Sequence, residues 1–240
     1  MERNLRLTLE FDGTGFAGWQ YQPERSTIQG TLQSALKKLL KTDVTVYGCS
    51  RTDAGVSARR YVANFHADVR LRLDRFRMAI NWHLPAEIHV LVAEEVPPEF
   101  HARHSARAKT YVYRIVHGIS PLRRGRAWEF KHSLDPGRME SAARLFLGTR
   151  DFRPFCQTRD VDGSCTIAQL DVTEVGGDVL VTVKGDRFLY KMVRRIVGAL
   201  IACGSGRLTQ RDIRAALAGR PFPPFQTAPA QGLLLDSAEY

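Results

Sequence analysis

The stretch from Gly48 to Arg60, GCSRTDAGVSARR, places one carboxylate among three arginines, between two segments with the composition of β-strands. The acid is Asp53. Nearby arginines favour the ionised form of a carboxylate, and an ionised carboxylate is a nucleophile. Asp is also common in tight turns, because its side chain accepts hydrogen bonds from neighbouring backbone N–H groups. Asp53 is therefore either a turn residue or the reactive group of an enzyme.

The charge balance favours a polyanionic partner. The 240 residues include 35 Lys and Arg against 25 Asp and Glu, which gives a net charge of +10. Nucleic acid is the leading candidate, and a basic surface that serves only solubility is the alternative. An acid on an RNA-binding surface opposes phosphate binding, so the presence of Asp53 points to chemistry on a base or sugar. Arginine-rich runs at 70–77 and 122–126 are expected to be phosphate contacts or solvated faces.

Hydrophobic periodicity predicts the order β-α-β-β-α-β in the first half of the chain. Ser26-x-x-Gln29 resembles a capping box at the start of the first helix, Asp74 is a candidate cap for the second, and Pro85 ends it. The expected elements are a strand over 5–11, a helix over 27–40, strands at 44–48 and 61–67, a helix from 74 to 84 and a strand over 87–96.

The second half repeats that order. Asp135-Pro136 starts a helix, Gly176-Gly177 forms a hairpin turn, and Thr209-x-x-Asp212 caps a further helix. The expected elements are a strand over 109–116, a helix from 136 to about 148, strands over 166–175 and 178–185, a helix over about 188–203, a helix after 209 and a strand over 232–238.

These patterns predict an α+β fold with two tandem ferredoxin-like βαββαβ units and mainly antiparallel sheets that form a central cleft. The expected domains are residues 1–100, which carry the Asp53 loop, and residues 101–240, which complete the site. Pro97-Pro98 and a basic stretch join them.

Several functional classes receive no support. No apolar run approaches the ~18–20 residues that span a bilayer, and the N-terminal sequence lacks a signal-peptide core, so we expect a cytoplasmic protein without membrane association. The four cysteines contain no C-x-x-C motif, and we expect reduced structural thiols, with a nucleophilic Cys49 as the alternative. His101 and His104 lack the Glu of a zinc motif, so no metal is expected. No Walker or Rossmann glycine loop is present, and no cofactor is expected.

Seven segments, in order along the chain, resemble the tRNA pseudouridine synthase A family nearly end to end. They are FDGTGFAGWQYQP with TIQGTLQSAL, SRTDAGVSA, NWHLPAEIHV, FHARHSARAKTYVYRI, GTRDFRPF, FLYKMVRRIVGALIACGSG and GLLLDSAEY. One departure is that the family usually has His where Ser57 stands. We expect this departure to alter loop packing or RNA contact without loss of chemistry.

The resemblance implies an isomerase that converts uridine to pseudouridine in the anticodon stem-loop of tRNA, at positions 38, 39 and 40. Asp53 is then the nucleophile, which attacks either C1′ of the ribose or C6 of a flipped uracil. The partner is tRNA, no cofactor is required, and the enzyme acts as a homodimer. The rivals are a non-catalytic RNA-binding protein and a pseudouridine synthase with a different target uridine.

The resemblance also assigns roles to four other residues. Tyr111 stacks on the base, with proton transfer from C5 as a further role, and Arg194 pairs with Asp53. Arg51 helps to displace the target nucleotide, and Arg103 contacts RNA or has a structural role. From the residues alone, Tyr111 could equally be a core aromatic like Tyr113, Arg194 a solvated or phosphate-binding residue, and Arg51 a salt-bridge partner of Asp53.

Overall fold

A computed structural model describes residues 2–158 and 161–240. The chain divides into two compact units, one formed by Met1–Arg107 with Leu234–Tyr240 and the other by Ala108–Leu233. Within the described residues, no helix is long and apolar enough to cross a membrane. In the first unit the elements are β1 (Arg3–Phe11), α1 (Ile28–Leu40), β2 (Tyr47–Gly48), β3 (Ser57–Ala67), α2 (Leu73–His83) and β4 (Ile88–Val96).

The sheet of the first unit has β1 at its centre. This strand is antiparallel to both β3 and β4, and Leu7 lies opposite Ala63 on one side and Ala93 on the other. The alternating Leu residues of β1 are fully buried. On α2, Phe76 is buried and its ring lies 6.0 Å from that of Phe65 on β3. The predicted β-α-β-β-α-β order is confirmed, and it places the Asp53 loop directly before β3.

The helix starts differ in detail from the sequence prediction. Thr27, and not Ser26, caps α1, because its hydroxyl accepts a hydrogen bond from the Gly30 N–H at 3.2 Å. Arg72 is the residue before α2 and makes no side-chain cap, while Asp74 lies inside the first turn. There a hydrogen bond from the Arg75 backbone, together with the charge of Arg72, lowers the pKa of the Asp74 carboxyl.

The strand predicted over 44–48 is reduced to Tyr47 and Gly48. Val46 is buried, but two glutamine side chains of α1 satisfy its backbone groups. The Val46 N–H donates to Oε1 of Gln33 at 3.2 Å, and Nε2 of Gln29 donates to the Val46 carbonyl at 2.8 Å. These side chains replace a neighbouring strand. Gln29 takes no part in a capping box, because its Oε1 accepts a hydrogen bond from the Tyr21 N–H at 2.7 Å.

Two buried asparagines attach the segment after β4 to the sheet of the first unit. Asn4 donates to the carbonyl of Phe100 at 2.8 Å, and Asn64 accepts a hydrogen bond from the Ala102 N–H at 2.8 Å. The two asparagine side chains are also bonded to each other at 3.0 Å. The first unit therefore extends to Arg107, beyond the expected boundary at residue 100.

The second unit contains a four-stranded antiparallel arrangement with additional short elements. Its strand order is β5-β9-β8-β7, and β6 pairs with β5 in parallel. Both glycines of the β8–β9 turn, Gly176 and Gly177, have positive φ, as the predicted hairpin requires. The elements are β5 (Ala108–His117), β6 (Trp128–Phe130), α3 (Pro136–Ala143), β7 (Gly148–Asp151), β8 (Ser164–Val175), β9 (Asp178–Gly185), α4 (Met192–Gly204) and α5 (Gln210–Leu217).

The C-terminal part of the chain contains two α-helices and the final strand. The helix α4 begins at Met192, four residues later than expected, because Lys191 adopts a left-handed conformation with φ of 58°. Thr209 and Asp212 form the predicted capping box of α5. The final strand, β10 (Leu233–Glu239), pairs in parallel with β3 at Leu234 and Leu235. From Leu234 onwards β10 therefore belongs to the first unit, whereas the sequence repeat predicts that it belongs to the second.

Candidate active site

Asp53 is half-buried in a tight turn that leads into β3. The Val56 N–H donates to the Asp53 carbonyl at 3.1 Å, and Gly55, the third residue of the turn, has φ of 80°. A type II turn needs a positive φ at its third position, which Gly adopts without steric cost. The turn thus explains why residue 55 is a glycine, because this position needs a positive φ. It does not explain the carboxylate of Asp53, which depends on its surroundings.

A second loop, residues 12–19, braces this turn through its backbone. The Trp19 N–H donates to the Thr52 carbonyl at 3.1 Å, and the Gly55 N–H donates to the Phe16 carbonyl at 3.2 Å. The two loops approach so closely that side chains are excluded. A Cβ on Gly13 would overlap the Val56 carbonyl, and one on Gly18 would lie 2.5 Å from the Thr52 carbonyl.

Ser57 joins the same two loops. Its hydroxyl accepts a hydrogen bond from the buried Gly13 N–H at 3.0 Å. This contact gives a physical role to the position at which the sequence departs from the family that it resembles. The structure therefore places Ser57 in loop packing, one of the two outcomes expected for this departure.

Tyr61 supports the turn from inside the first unit. Its hydroxyl donates to the Ser50 carbonyl and accepts from the Ser50 N–H at 3.4 Å, which fixes the start of the loop. Its ring stacks on Trp19 with a centroid distance of 4.2 Å. Gly48 lies against both rings, and a Cβ there would overlap them. The two ends of the Asp53 loop are thus held to the core from different sides.

The arginines near Asp53 have different surroundings. Arg51, the candidate for nucleotide displacement, is exposed, and so is Arg60. Arg59 forms an ion pair with Asp236 on β10 at 2.7 Å. Arg59 therefore helps to hold the C-terminal strand beside β3, in addition to its expected contact with phosphate.

The second unit holds Tyr111 and Tyr113 on one face of β5. Tyr111 is only 5% exposed, and the Phe188 ring meets it edge-on at a centroid distance of 5.1 Å. Tyr113 is fully buried, and its hydroxyl donates to the Pro229 carbonyl at 2.8 Å. Burial raises the pKa of the Tyr113 hydroxyl, and the charge of Arg194 opposes this shift in part. The geometry agrees with a packing role for Tyr113.

Arg194 lies on the first turn of α4, where it is fixed by the segment that precedes β10. Its Nε donates to the Ala228 carbonyl at 2.8 Å, and its own carbonyl accepts from the Ala228 N–H at 3.1 Å. The contact is possible because Gly198, one turn later, leaves room for the backbone of Gln226. The guanidinium thus has a defined orientation before any substrate is bound.

Arg195 has different partners. Its Nη2 donates to the Pro154 carbonyl at 3.2 Å, and its guanidinium lies 4.9 Å from the Phe225 ring. Burial lowers the pKa of the Arg195 guanidinium. The two adjacent arginines therefore have distinct environments. Arg195 packs within the second unit.

Arg103 is exposed on a turn whose backbone is tied to His101. The Arg103 N–H donates to Nδ1 of His101 at 3.1 Å, and the Ser105 N–H donates to the His101 carbonyl at 2.9 Å. The His101 ring also lies 4.8 Å from that of Tyr47, and burial lowers its pKa. His101 acts here as a hydrogen-bond acceptor that shapes the turn. Among the described residues, no group of three or more His, Cys, Asp or Glu could hold a metal ion.

The four cysteines form no disulfide, and all four are buried. Burial raises the pKa of the Cys165 and Cys203 thiols to about 11 each. Cys49 is fully buried, so its sulfur is inaccessible to a nucleic acid in this structure. The burial of Cys49 thus argues against a thiol as the nucleophile of the loop.

The five predicted site residues are divided between the units. Asp53, Arg51 and Arg103 belong to the first unit, and Tyr111 and Arg194 belong to the second. Sequence reasoning did not anticipate the bracing contacts of Gly13 and Gly18 or the Ala228 carbonyl. The glycines of DGTGFAG could have signalled a close backbone approach, but not the loop that approaches.

Comparison with known proteins identifies the family. The sequence matches the family described as tRNA pseudouridine synthase over residues 8–105 and 142–240, and Tyr111 lies between these segments. The tRNA pseudouridine synthase A of Ruminiclostridium cellulolyticum is 42% identical over 99% of this chain and 100% of that protein. The proteins of the same name from Moorella thermoacetica and Afipia carboxidovorans are each 40% identical over 98% of this chain and cover 99% and 98% of their own lengths. The chain belongs to the tRNA pseudouridine synthase family.

Proposed function

We propose that this protein converts uridine to pseudouridine in the anticodon stem-loop of tRNA, at positions 38, 39 and 40, with Asp53 as the nucleophile. The observation that carries the proposal is the family match over residues 8–105, which include the braced Asp53 turn. The net charge of +10 supports a polyanionic substrate. The reaction is an isomerisation, and it needs no oxidant, phosphate donor or cofactor.

The carboxylate attacks C1′ of the ribose or C6 of the extruded uracil, and the N-glycosidic bond breaks. The uracil then rejoins the ribose through C5, the C5 proton leaves, and N1 carries a hydrogen in the product. Asp53 is released unchanged. Holding the acid in a fixed turn favours this chemistry, because attack requires the reacting atoms to be aligned at about 3–3.5 Å.

Tyr111 and Arg194 assist from the second unit. The Tyr111 ring stacks on the extruded base, a contact of about 1–3 kcal/mol. Its oxygen takes the C5 proton while its own hydroxyl proton passes on towards N1, so Tyr111 ends the reaction unchanged. Arg194 pairs with Asp53 through its Nη nitrogens, since Nε donates to Ala228. Such a pair favours the ionised acid and fixes its rotamer.

Two exposed arginines act on the RNA itself. Arg51 precedes the Thr-Asp turn, and its guanidinium occupies the stack that the target nucleotide leaves or grips a phosphate. Arg103 contacts the RNA backbone from its turn. We further propose that the enzyme acts in the cytoplasm as a homodimer in which one tRNA contacts both subunits. Sedimentation with and without tRNA tests the dimer.

The decisive experiment uses unmodified tRNA and two variants, Asp53→Asn and Asp53→Ala. Both should bind tRNA with nearly the wild-type affinity and make no pseudouridine. Substantial residual pseudouridine would refute the role of Asp53. Binding by the wild-type chain without any conversion would instead identify a non-catalytic RNA-binding protein. Mapping pseudouridine in RNA from cells with and without the gene identifies the target uridines, and modification at other positions would contradict the anticodon assignment.

A further inference from the structure

The outer face of α2 presents an unusual pair of apolar side chains. Trp82 is 88% exposed, whereas the other two tryptophans, Trp19 and Trp128, are 2% and 8% exposed. A single exposed apolar residue needs no explanation. Met78, however, lies one turn earlier and is 57% exposed, and residues four apart share one face of a helix. The two side chains therefore form one exposed apolar patch.

This patch is separate from the part of α2 that packs into the first unit. Phe76 and Ile80 are the buried residues of the helix, and they lie on its opposite side. Trp82 and Met78 thus contribute little to the core. A replacement at either position should leave the fold intact, so an effect on function can be measured without a loss of structure.

Positive charge lies on the N-terminal side of the patch. Residues 70–77, RLRLDRFR, contain four arginines and one aspartate. Arg75 is exposed and lies two turns before Trp82 on the same face. The side chains of Arg70 and Arg72 are 89% and 86% exposed, in ion pairs that are themselves exposed. Such pairs are worth little in water, and phosphate groups can replace their acidic partners.

We propose that this face binds an unpaired nucleotide of the substrate tRNA, with its base stacked on the Trp82 indole and the adjoining phosphates against Arg70, Arg72 and Arg75. The proposal rests on the proposed function, because it takes tRNA as the substrate. Stacking on an aromatic ring suits any base, since every base has a π-face, and the arginines supply the sequence-independent attraction to the backbone.

A second copy of the chain is a poorer occupant. A two-fold symmetric interface centred on this face would bring the same residues of both subunits together near the axis. Here that would set one arginine-rich segment against another, and like charges across an interface oppose association. An RNA brings the opposite charge, so charge complementarity favours the nucleic acid.

Tryptophan fluorescence provides a direct test, because Trp82 is the exposed member of the three. Titration of the wild-type chain with an unmodified tRNA transcript should quench its emission. Trp82→Phe keeps the two buried tryptophans and should abolish the quench. A fully paired RNA duplex should leave the wild-type emission unchanged. Equal quenching by the duplex would overturn the assignment to an unpaired nucleotide.

Affinity gives a second, independent readout. Trp82→Ala should weaken tRNA binding by at least about fivefold, as expected when a base loses its stacking partner. Turnover at saturating tRNA should stay within about twofold of wild type. Arg75→Ala should lower the slope of log affinity against log salt by about one, because one phosphate contact is lost. Val175→Ala, at a 58% exposed apolar residue with no Lys or Arg within five positions in the sequence, is the matched control and should change neither quantity.

The outcomes separate this proposal from the proposed function. Wild-type affinity in Trp82→Ala together with no quench would overturn the RNA surface, whether or not pseudouridine forms. Loss of self-association by Trp82→Ala in sedimentation, with unchanged RNA affinity, would assign the face to a second copy. If tRNA quenches the wild-type emission and Trp82→Ala weakens tRNA binding as expected, but no pseudouridine forms, the enzyme proposal is refuted and the RNA-binding surface is supported.

Discussion

The two units hold their candidate functional groups in different ways. In the first unit, Asp53 stands on an irregular loop that is fixed by backbone hydrogen bonds from a second loop and by glycines that allow the close approach. In the second unit, Tyr111 projects from β5 and Arg194 from α4, and each side chain has its own packing or hydrogen-bond partner. A loop can present a reactive group to a bulky substrate, but it needs external support, whereas regular elements fix a side chain directly.

This difference predicts that the two units lose function after different kinds of substitution. The second unit should lose function when a functional group is removed from a side chain, even if its size is preserved. The first unit should also lose function when a methyl group is added to a residue that carries no chemistry. Four substitutions test the distinction, in decreasing order of their predicted loss of turnover.

Arg194→Met keeps much of the length of the side chain and removes its charge. Turnover should fall by about a hundredfold or more, as it does when a preorganised charged or polar donor is lost from an active site. Single-turnover conversion of tRNA measures the effect. Arg195→Met is the matched control, because Arg195 packs on Phe225. It should lower the melting temperature and leave turnover within about threefold of wild type. Equal losses of turnover from the two variants would contradict the distinction between the adjacent arginines.

Tyr111→Phe removes one hydroxyl and keeps the edge-on contact with Phe188. Affinity for tRNA should stay within about twofold, because the ring still stacks, and turnover should fall by about a hundredfold, because no phenol oxygen is left to relay the C5 proton. Tyr113→Phe is the comparison, since it loses only the hydrogen bond to Pro229. It should cost about 1 kcal/mol of stability without affecting chemistry. Full turnover in Tyr111→Phe would reduce the role of Tyr111 to stacking.

Gly13→Ala tests the brace of the first unit. The added methyl group would meet the Val56 carbonyl, so the two loops must separate. We expect about 1–3 kcal/mol of destabilisation and a turnover about tenfold below wild type, because a small displacement of a catalytic group is costly. Gly15→Ala lies in the same loop, with no atom within 4 Å of the new methyl group, and should resemble wild type. Denaturation and turnover are measured on both, and equal behaviour would argue against a brace.

Ser57→Ala should have the smallest effect on turnover of the four substitutions. It leaves the buried Gly13 N–H without its hydroxyl acceptor, which costs about 1–3 kcal/mol of stability. Turnover should fall severalfold, because the other backbone contacts between the loops remain. Ser57→Thr retains a hydroxyl and should recover most of the loss. If Ser57→Ala weakened tRNA binding and left stability unchanged, Ser57 would act in RNA contact and not in loop packing.

Local sequence signals predicted most elements, and they failed where a distant residue supplied the missing hydrogen bonds. The capping box at Thr209 and the hairpin at Gly176 depend on residues close in sequence, and both are confirmed. At Val46, the β-rich composition predicted a strand, but glutamines of α1 satisfy the backbone. The apolar periodicity predicted that α4 begins near residue 188. The helix begins at Met192, because Lys191 has a left-handed backbone conformation that a hydrophobic pattern does not reveal.

The candidate site was predicted to a similar extent. The acid among arginines marked Asp53 as a residue that requires an explanation, and Asp53 lies within the first segment of the family match, while its role stays a prediction. The brace was not predictable, because the Gly13 and Ser57 contact joins residues 44 apart in sequence. The same holds for the contact of Arg194 with Ala228, which are 34 residues apart.

The alternation of strands and helices, the basic character of the chain and its family can all be read from the amino-acid sequence, because these properties reside in neighbouring residues or in the whole composition. Three further features became visible in the folded chain alone: β10 joins the first unit, a glycine loop holds the Asp53 turn, and Trp82 lies on an exposed face. Each of these depends on which distant segments exclude water from one another, and burial is a property of the packed chain and not of any short segment.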